Sequence, residues 1–177
     1  MRFKDIKRFT GFPNYRVNIS WHYLEDHLHH SCIENTGTAR LDLDPDFQRA
    51  HVWTTEQYIS YVEFKLKRGS GADVILLNCV GWMNDFRGPY VLVDGKQRIE
   101  AVRKFLRSEI PAFGCYYKDY EDKLNPSDPD FIFAVNNLKT KKEVLQWYLE
   151  INTGGVVHTK EELDRVRELL KNEESTM

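Results

Sequence analysis

Tyr90-Val91-Leu92-Val93-Asp94-Gly95-Lys96-Gln97-Arg98 runs from an apolar stretch straight into Asp-Gly. An amphipathic segment follows, with Ile99, Val102, Phe105 and Leu106 on one face. Four β-forming residues and then a 3.6-residue period predict a strand, a turn and a helix over residues 96–107. A strand that turns directly into a helix aims unpaired backbone N–H groups and the positive end of the helix dipole at one point. Such a point suits an anion, a phosphate above all. Gly95 lets the backbone approach a ligand closely, and Arg98 adds a planar, bidentate donor. The same residues also make an ordinary connection, because Asp-Gly is good turn chemistry by itself. On these nine residues alone both readings stand.

Working outward, Tyr15, Val17 and Ile19 alternate with polar residues and predict a first short strand. Ser20 is placed to cap a helix presenting Trp21, Leu24 and Leu28, and Asn35-Thr36-Gly37-Thr38 reads as a loop. Leu41 to Leu43 predicts a short strand stopped by Asp44-Pro45. Thr54 with Gln57 forms a capping box that opens a helix through Tyr58, Ile59, Val62 and Leu66, ending at Gly69. Val74 to Val80 is a continuous apolar run of the buried-strand kind. Beyond the central motif, Ala112 to Tyr117 and Phe131 to Val135 read as strands. Thr140 with Glu143 starts a helix with Val144, Leu145, Tyr148 and Ile151 inward, ended by Gly154-Gly155. Thr159 with Glu162 starts a last helix through Leu163, Val166 and Leu170, whose charged end frays. Short, irregularly spaced strands among helices predict an α+β domain, a small mixed sheet flanked by helices, rather than a doubly wound sheet.

The 177 residues suit one well-formed core, and 41% hydrophobic with 13% aromatic residues describe a folded chain. A net charge of -2 supplies no overall basic field to attract nucleic acid. Cys32, Cys79 and Cys115 are isolated, which argues against a disulfide framework or a zinc knuckle and suits a reducing cytoplasm. No signal-peptide core and no apolar run of membrane-spanning length are present, so the expectation is a soluble, cytoplasmic protein without a membrane partner.

Two further polar clusters bear on chemistry. Asp44-Pro45-Asp46-Phe47-Gln48-Arg49-Ala50-His51-Val52-Trp53 places Gln48 and Arg49 between a strand end and a capped helix, again an anion-friendly location. Alternatively it is a charged loop in which Arg49 pairs with Asp44 or Asp46. Asn152-Thr153-Gly154-Gly155 follows the fourth amphipathic segment. Its glycines suit a helix C-cap, while Asn152 offers an amide to a base edge, a ribose or a phosphate. His27, His29 and His30 lack a cysteine or acidic partner at ligand spacing and read as a solvated face. Walker, dinucleotide-binding and nucleophile-elbow motifs are absent. Trp53 and Trp82 are candidates to stack on a base, with core packing as the alternative.

Taken in order, Asp-Phe-Gln-Arg-x-x-Val-Trp, Val-Asp-Gly-x-Gln-Arg-x-x-Ala and Ile-Asn-Thr-Gly-Gly with Thr-x-x-Glu-Leu resemble the GmrS-like domain family. This is the amino-terminal domain of GmrSD-type modification-dependent restriction enzymes, similar in fold to ParB amino-terminal domains and sulfiredoxin. The segments are Asp46 to Trp53, Val93 to Ala101 and Ile151 to Leu163, and the resemblance covers Leu41 to Leu170. It implies a single domain over residues 1–177, with its core at about 41–170 and residues 1–40 as a strand–helix extension.

What the resemblance implies about function is nucleoside triphosphate binding and hydrolysis, with Mg²⁺ or another divalent cation. Carried over by position, Asp94, Gln97 and Arg98 are the catalytic candidates, and Gln48, Arg49, Gly95, Lys96 and Asn152 the nucleotide- and phosphate-binding ones. Gly95 and the helix start would cradle phosphate while Arg49 and Arg98 neutralise it. Asp94 has three open roles: holding the cation, orienting a water, or capping the helix. Gln97 is a candidate to position a nucleophile. Lys96 departs from the glutamine common in the family and adds a charge beside the site. The histidine-based nuclease motif of the larger restriction proteins has no counterpart after Asn152, where His158 stands alone. The expectation is therefore a stand-alone domain in DNA restriction or phage–host conflict, with a nucleotide, DNA, and a separate nuclease subunit or host defence protein as partners. Two other functions compete: direct nuclease or transferase action on DNA, and a non-catalytic binding or inhibitor module.

Overall fold

Five strands form one mixed sheet in the order β1-β7-β3-β4-β2. They are β1 (Tyr15–Ser20), β2 (Leu41–Asp42), β3 (Val74–Gly81), β4 (Arg87–Asp94) and β7 (Asp130–Asn136). β1 runs antiparallel to β7 and β3 antiparallel to β4, whereas β7 is parallel to β3 and β2 parallel to β4. This computed structural model describes residues 1–8, 15–31, 41–48, 50, 52–82, 87–153 and 160–175. The expected loop at Asn35–Thr38, Cys32, Arg49, His51, Gly154-Gly155, His158 and the capping Thr159 lie outside the described residues.

The period-two alternation of strand side chains divides the interior into two layers. Ile75, Leu77 and Cys79 of β3, with Tyr90 and Leu92 of β4, enter one core together with Trp21, Val62, Val102 and Phe105. Helices α2 (Thr55–Leu66) and α3 (Lys96–Leu106) cover that side and pack on each other. Val93, with Leu76 and Val91 at its margin, enters the second core with Phe47, Leu145, Tyr148 and Val166. There α4 (Lys141–Thr153) and α5 (Lys160–Ser175) supply the cover. The arrangement is the mixed sheet flanked by helices that the sequence predicts.

Both legible capping boxes form. In α2, Gln57 N donates to Thr54 Oγ1 at 3.3 Å and Thr54 N donates to Gln57 Oε1 at 2.8 Å. In α4, Glu143 N donates to Thr140 Oγ1 at 3.2 Å and Thr140 N to Glu143 Oε2 at 3.1 Å. Two segments differ from expectation. After Ser20 the chain forms a 3₁₀ turn (Trp21–Tyr23), a single turn α1 (Leu24–Asp26) and a π turn (His27–Ser31) instead of a regular helix. Its start is set by tertiary contact: Trp21 N donates to Pro129 O at 2.9 Å, and the Ser20 side chain makes no cap bond. Trp21, Leu24 and Leu28 are nonetheless all buried. The Ala112–Tyr117 strand resolves into a two-residue hairpin, β5 (Pro111–Ala112) and β6 (Cys115–Tyr116), because Phe113 and Gly114 turn at φ 50° and 75°. No helix among the described residues is long and apolar enough to cross a membrane.

Candidate functional site

β2 is only two residues long and pairs β4 no further than Asp42 opposite Val91. The carboxyl end of β4 would therefore present bare carbonyls along its edge. The loop after β2 covers them. Gln48, buried, donates through Nε2 to Leu92 O at 3.0 Å and Val93 O at 2.9 Å. Asp42 Oδ1 accepts from Asp44 N at 3.0 Å, and Pro45 O accepts from Gln48 N at 2.9 Å, so the loop is folded on itself. Phe47 fixes it to α4 through an edge-on contact with Tyr148, ring centroids 5.2 Å apart.

At the end of β4 the chain turns through Gly95, the residue that caps α3. Its φ is 111° and it offers no side-chain cap. A β-carbon there would stand 2.5 Å from Ile75 Cδ1, so both the backbone conformation and the close approach require glycine. Asp94 therefore does not cap the helix, one of its three expected roles. Its carboxylate instead accepts from Arg98 Nη2 at 2.5 Å, one helical turn on. The Arg98 side chain is 16% exposed and that of Asp94 42%, so the pair is open chiefly on the carboxylate side.

Gln97 is buried and turned to Ala50 and Trp53 of the preceding loop and to Tyr58 of α2. Its Oε1 accepts from Trp53 N at 3.3 Å and from the Tyr58 hydroxyl at 3.0 Å, and its Nε2 donates to Ala50 O at 3.3 Å. These bonds make Gln97 a strut that holds the loop against the start of α3. Lys96 is buried too, and its Nζ pairs with the exposed Asp44. Gln48, Gly95, Lys96, Gln97, Arg98 and Asn152 line one cleft of about 100 Å³, joined by Trp53, Val93, Asp94 and Tyr148. Of the expected phosphate-binding residues, Arg49 alone lies outside the described residues; its neighbours Gln48 and Ala50 are anchored at the cleft.

The two ends of this cleft differ electrically. The amino terminus of α3 presents the positive end of its dipole, and Asn152 stands in the last turn of α4, at the negative end. Asn152 Nδ2 donates to Tyr148 O at 2.7 Å, and its side-chain oxygen is of acceptor type. That end suits an O–H or N–H of a ligand, and the α3 end suits an anion. Beside Arg98, burial pushes the Tyr61 phenol well above its ordinary range, with the Arg98 charge partly opposing the shift and Asp73 adding to it.

Sequence reasoning did not find Tyr58 as part of this site, and it placed Asp44 in the second polar cluster without its pairing to Lys96. Both act across 39 to 52 residues of chain, and no local pattern announces such a contact. The histidine segment departs from the expected solvated face at His27, which is half-buried. His27 packs on Phe133 at 5.0 Å, and no group of three or more His, Cys, Asp or Glu among the described residues can hold a metal ion. Trp82 packs on Tyr15 at 4.3 Å. A larger cavity of about 640 Å³ beside β1 and α1 is lined by Asn18, Ser20, Asp26, His27 and Asp130. It contains none of the motif residues, and convergence of those residues, rather than size, singles out the smaller cleft. Compared with protein-family models, with curated proteins and with solved structures, the chain matches none.

Proposed function

We propose that this chain is a GmrS-like domain of ParB/sulfiredoxin-like fold that binds and hydrolyses a nucleoside triphosphate, and that it serves DNA restriction or phage–host conflict in the cytoplasm. The observation carrying this reading is the meeting of Gln48, the Gly95–Arg98 helix start and Asn152 in one cleft, although 104 positions separate the first from the last. Packing alone has no need to bring three polar motifs to one uncapped helix end. At that end the first-turn N–H groups of α3 would receive phosphate oxygens, and Arg98 would bind them once turned from Asp94. Phosphoryl transfer asks a protein chiefly for positioning and charge stabilisation, which this set of groups supplies.

A divalent cation fits the site as a companion of the phosphates. Asp94 brings one half-exposed carboxylate, and Mg²⁺ is commonly held by one or two carboxylates together with substrate phosphates and waters. Asp94 would hold it, and the metal would offset phosphate charge beside Arg98. DNA and a separate nuclease subunit or host defence protein remain the proposed partners.

Titration calorimetry with Mg²⁺ and each nucleoside triphosphate tests the reading. The wild-type protein is expected to bind at least one, and Arg98→Ala to lose about 1.5–3 kcal/mol of that binding, the worth of a charged hydrogen bond. Absence of binding to any triphosphate by the wild-type protein refutes it.

A further inference from the structure

Resting on the nucleotide reading of this cleft, we infer that the indole of Trp53 is the platform on which the ligand's base stacks, so that the site selects nucleotides by ring area rather than by base edge. The first argument is size. A cleft of about 100 Å³ is a fraction of the roughly 300 Å³ or more that encloses a drug-sized ligand. It accommodates phosphate groups, and the nucleoside must then lie on the rim.

The second argument is position. Trp53 lines the cleft and is half-buried, whereas Tyr58 and Tyr61, which pack on its ring at 5.7 and 5.5 Å, are buried behind it on the core side. Its backbone N donates to Gln97 Oε1, so the residue is fastened to the first turn of α3, where the phosphates would sit. Arg98 is near as well: its charge acts on the Tyr61 phenol that backs the indole. Phosphate donors and an aromatic surface therefore share one side of the cleft, and Asn152 stands on the α4 side. The third argument is chemistry. A Trp face has no hydrogen-bond code for a base edge, so it favours the larger purine ring without separating adenine from guanine.

Four ligands, each with Mg²⁺, test the inference by calorimetry: ATP, GTP, UTP and inorganic tripolyphosphate. The wild-type protein is expected to bind ATP about tenfold more tightly than tripolyphosphate, with GTP within about threefold of ATP and UTP weaker than both. Trp53→Leu is expected to erase the ATP advantage and leave tripolyphosphate affinity within about twofold, while Trp53→Phe keeps most of the advantage. Because Trp53 packs on two tyrosines, a second measurement guards against a folding defect. With 5-fluorotryptophan at the four tryptophans, the ¹⁹F resonance that Trp53→Phe removes should shift with ATP and stay put with tripolyphosphate. Equal affinity of the wild-type protein for ATP and tripolyphosphate, or an ATP advantage that survives in Trp53→Leu, overturns the stacking role and leaves the phosphate site standing. If neither ligand binds the wild-type protein, the nucleotide reading falls and the stacking role falls with it.

Discussion

The amino termini of α2 and α4 carry a capping side chain, and that of α3 carries glycine. In α2, Thr54 and Gln57 close a capping box. Glu56 adds a carboxylate whose pKa lies below its ordinary value, held there first by a backbone hydrogen bond and then by Thr54. In α4, Thr140 and Glu143 close a second box, and the Glu143 carboxylate also accepts from Lys139 N at 2.9 Å. The start of α3 has glycine at the cap, hence no capping side chain, and no acidic residue in its first turn. Orphan N–H groups at a helix start are ordinarily satisfied by side chains, water or a ligand. Two of these helices spend their own residues on that task. The third spends its residues on a loop, an ion pair and a close approach to Ile75, and has glycine where the other two carry a capping side chain.

The sharpest way to break this contrast is at Gly95. Gly95→Ala is expected to cost about 2–4 kcal/mol of stability, from positive-φ strain and from contact with a core side chain. Ile75 is fully buried and has no room to swing aside. Ile75→Val removes the very Cδ1 atom that the new methyl would meet at 2.5 Å, so the double variant should recover about 1 kcal/mol relative to the sum of the two single changes. Urea unfolding of the four proteins measures it. Simple additivity would mean that backbone strain alone, and not the close approach, demands glycine.

Smaller effects are expected at the finished termini. Thr54→Ala and Thr140→Ala should each lose about 1 kcal/mol, the usual worth of a side-chain cap, and leave triphosphate affinity unchanged. If either one weakens triphosphate binding as much as Arg98→Ala does, the start of α3 is not the one that receives the anion.

These contrasts also explain what can be read in the sequence. Capping boxes, the strand–Asp-Gly–helix junction and the continuous apolar run of Val74 to Val80 are local patterns, and each appears in the structure where its residues predict it. Gln48, Gly95, Arg98 and Asn152 share one cleft, as their order in three motifs suggests. The roles of individual side chains were less legible, because their partners are distant in the chain. Gln97 reads as a group that positions a nucleophile, yet its amide holds Ala50, Trp53 and Tyr58. Lys96 reads as a charge for phosphate, yet it pairs with Asp44. Strand order was illegible for the same reason: β7 lies between β1 and β3, and each of its pairs with β3, from Val74 with Ile132 to Asn78 with Asn136, spans 58 positions of chain.

The segment of residues 21–31 offers the finest comparison, since it too starts without a side-chain cap but is closed by the core. Its His27 is packed on Phe133, and burial lowers the imidazole pKa below the ordinary 6.5. A depressed histidine pKa means that, as pH falls through 6.5 toward the folded value, the unfolded chain takes up a proton that the folded chain declines. Stability is therefore lost on acidification through that window and is fully present above it. Urea midpoints at pH 7.5 and 5.5 should show the wild-type protein losing more than His27→Gln over the same interval. The difference between the two proteins, rather than either slope, isolates His27 from the other titrating groups. Equal losses would mean that His27 is as solvated when folded as when unfolded, and that the segment is less firmly closed than its packing on Phe133 implies.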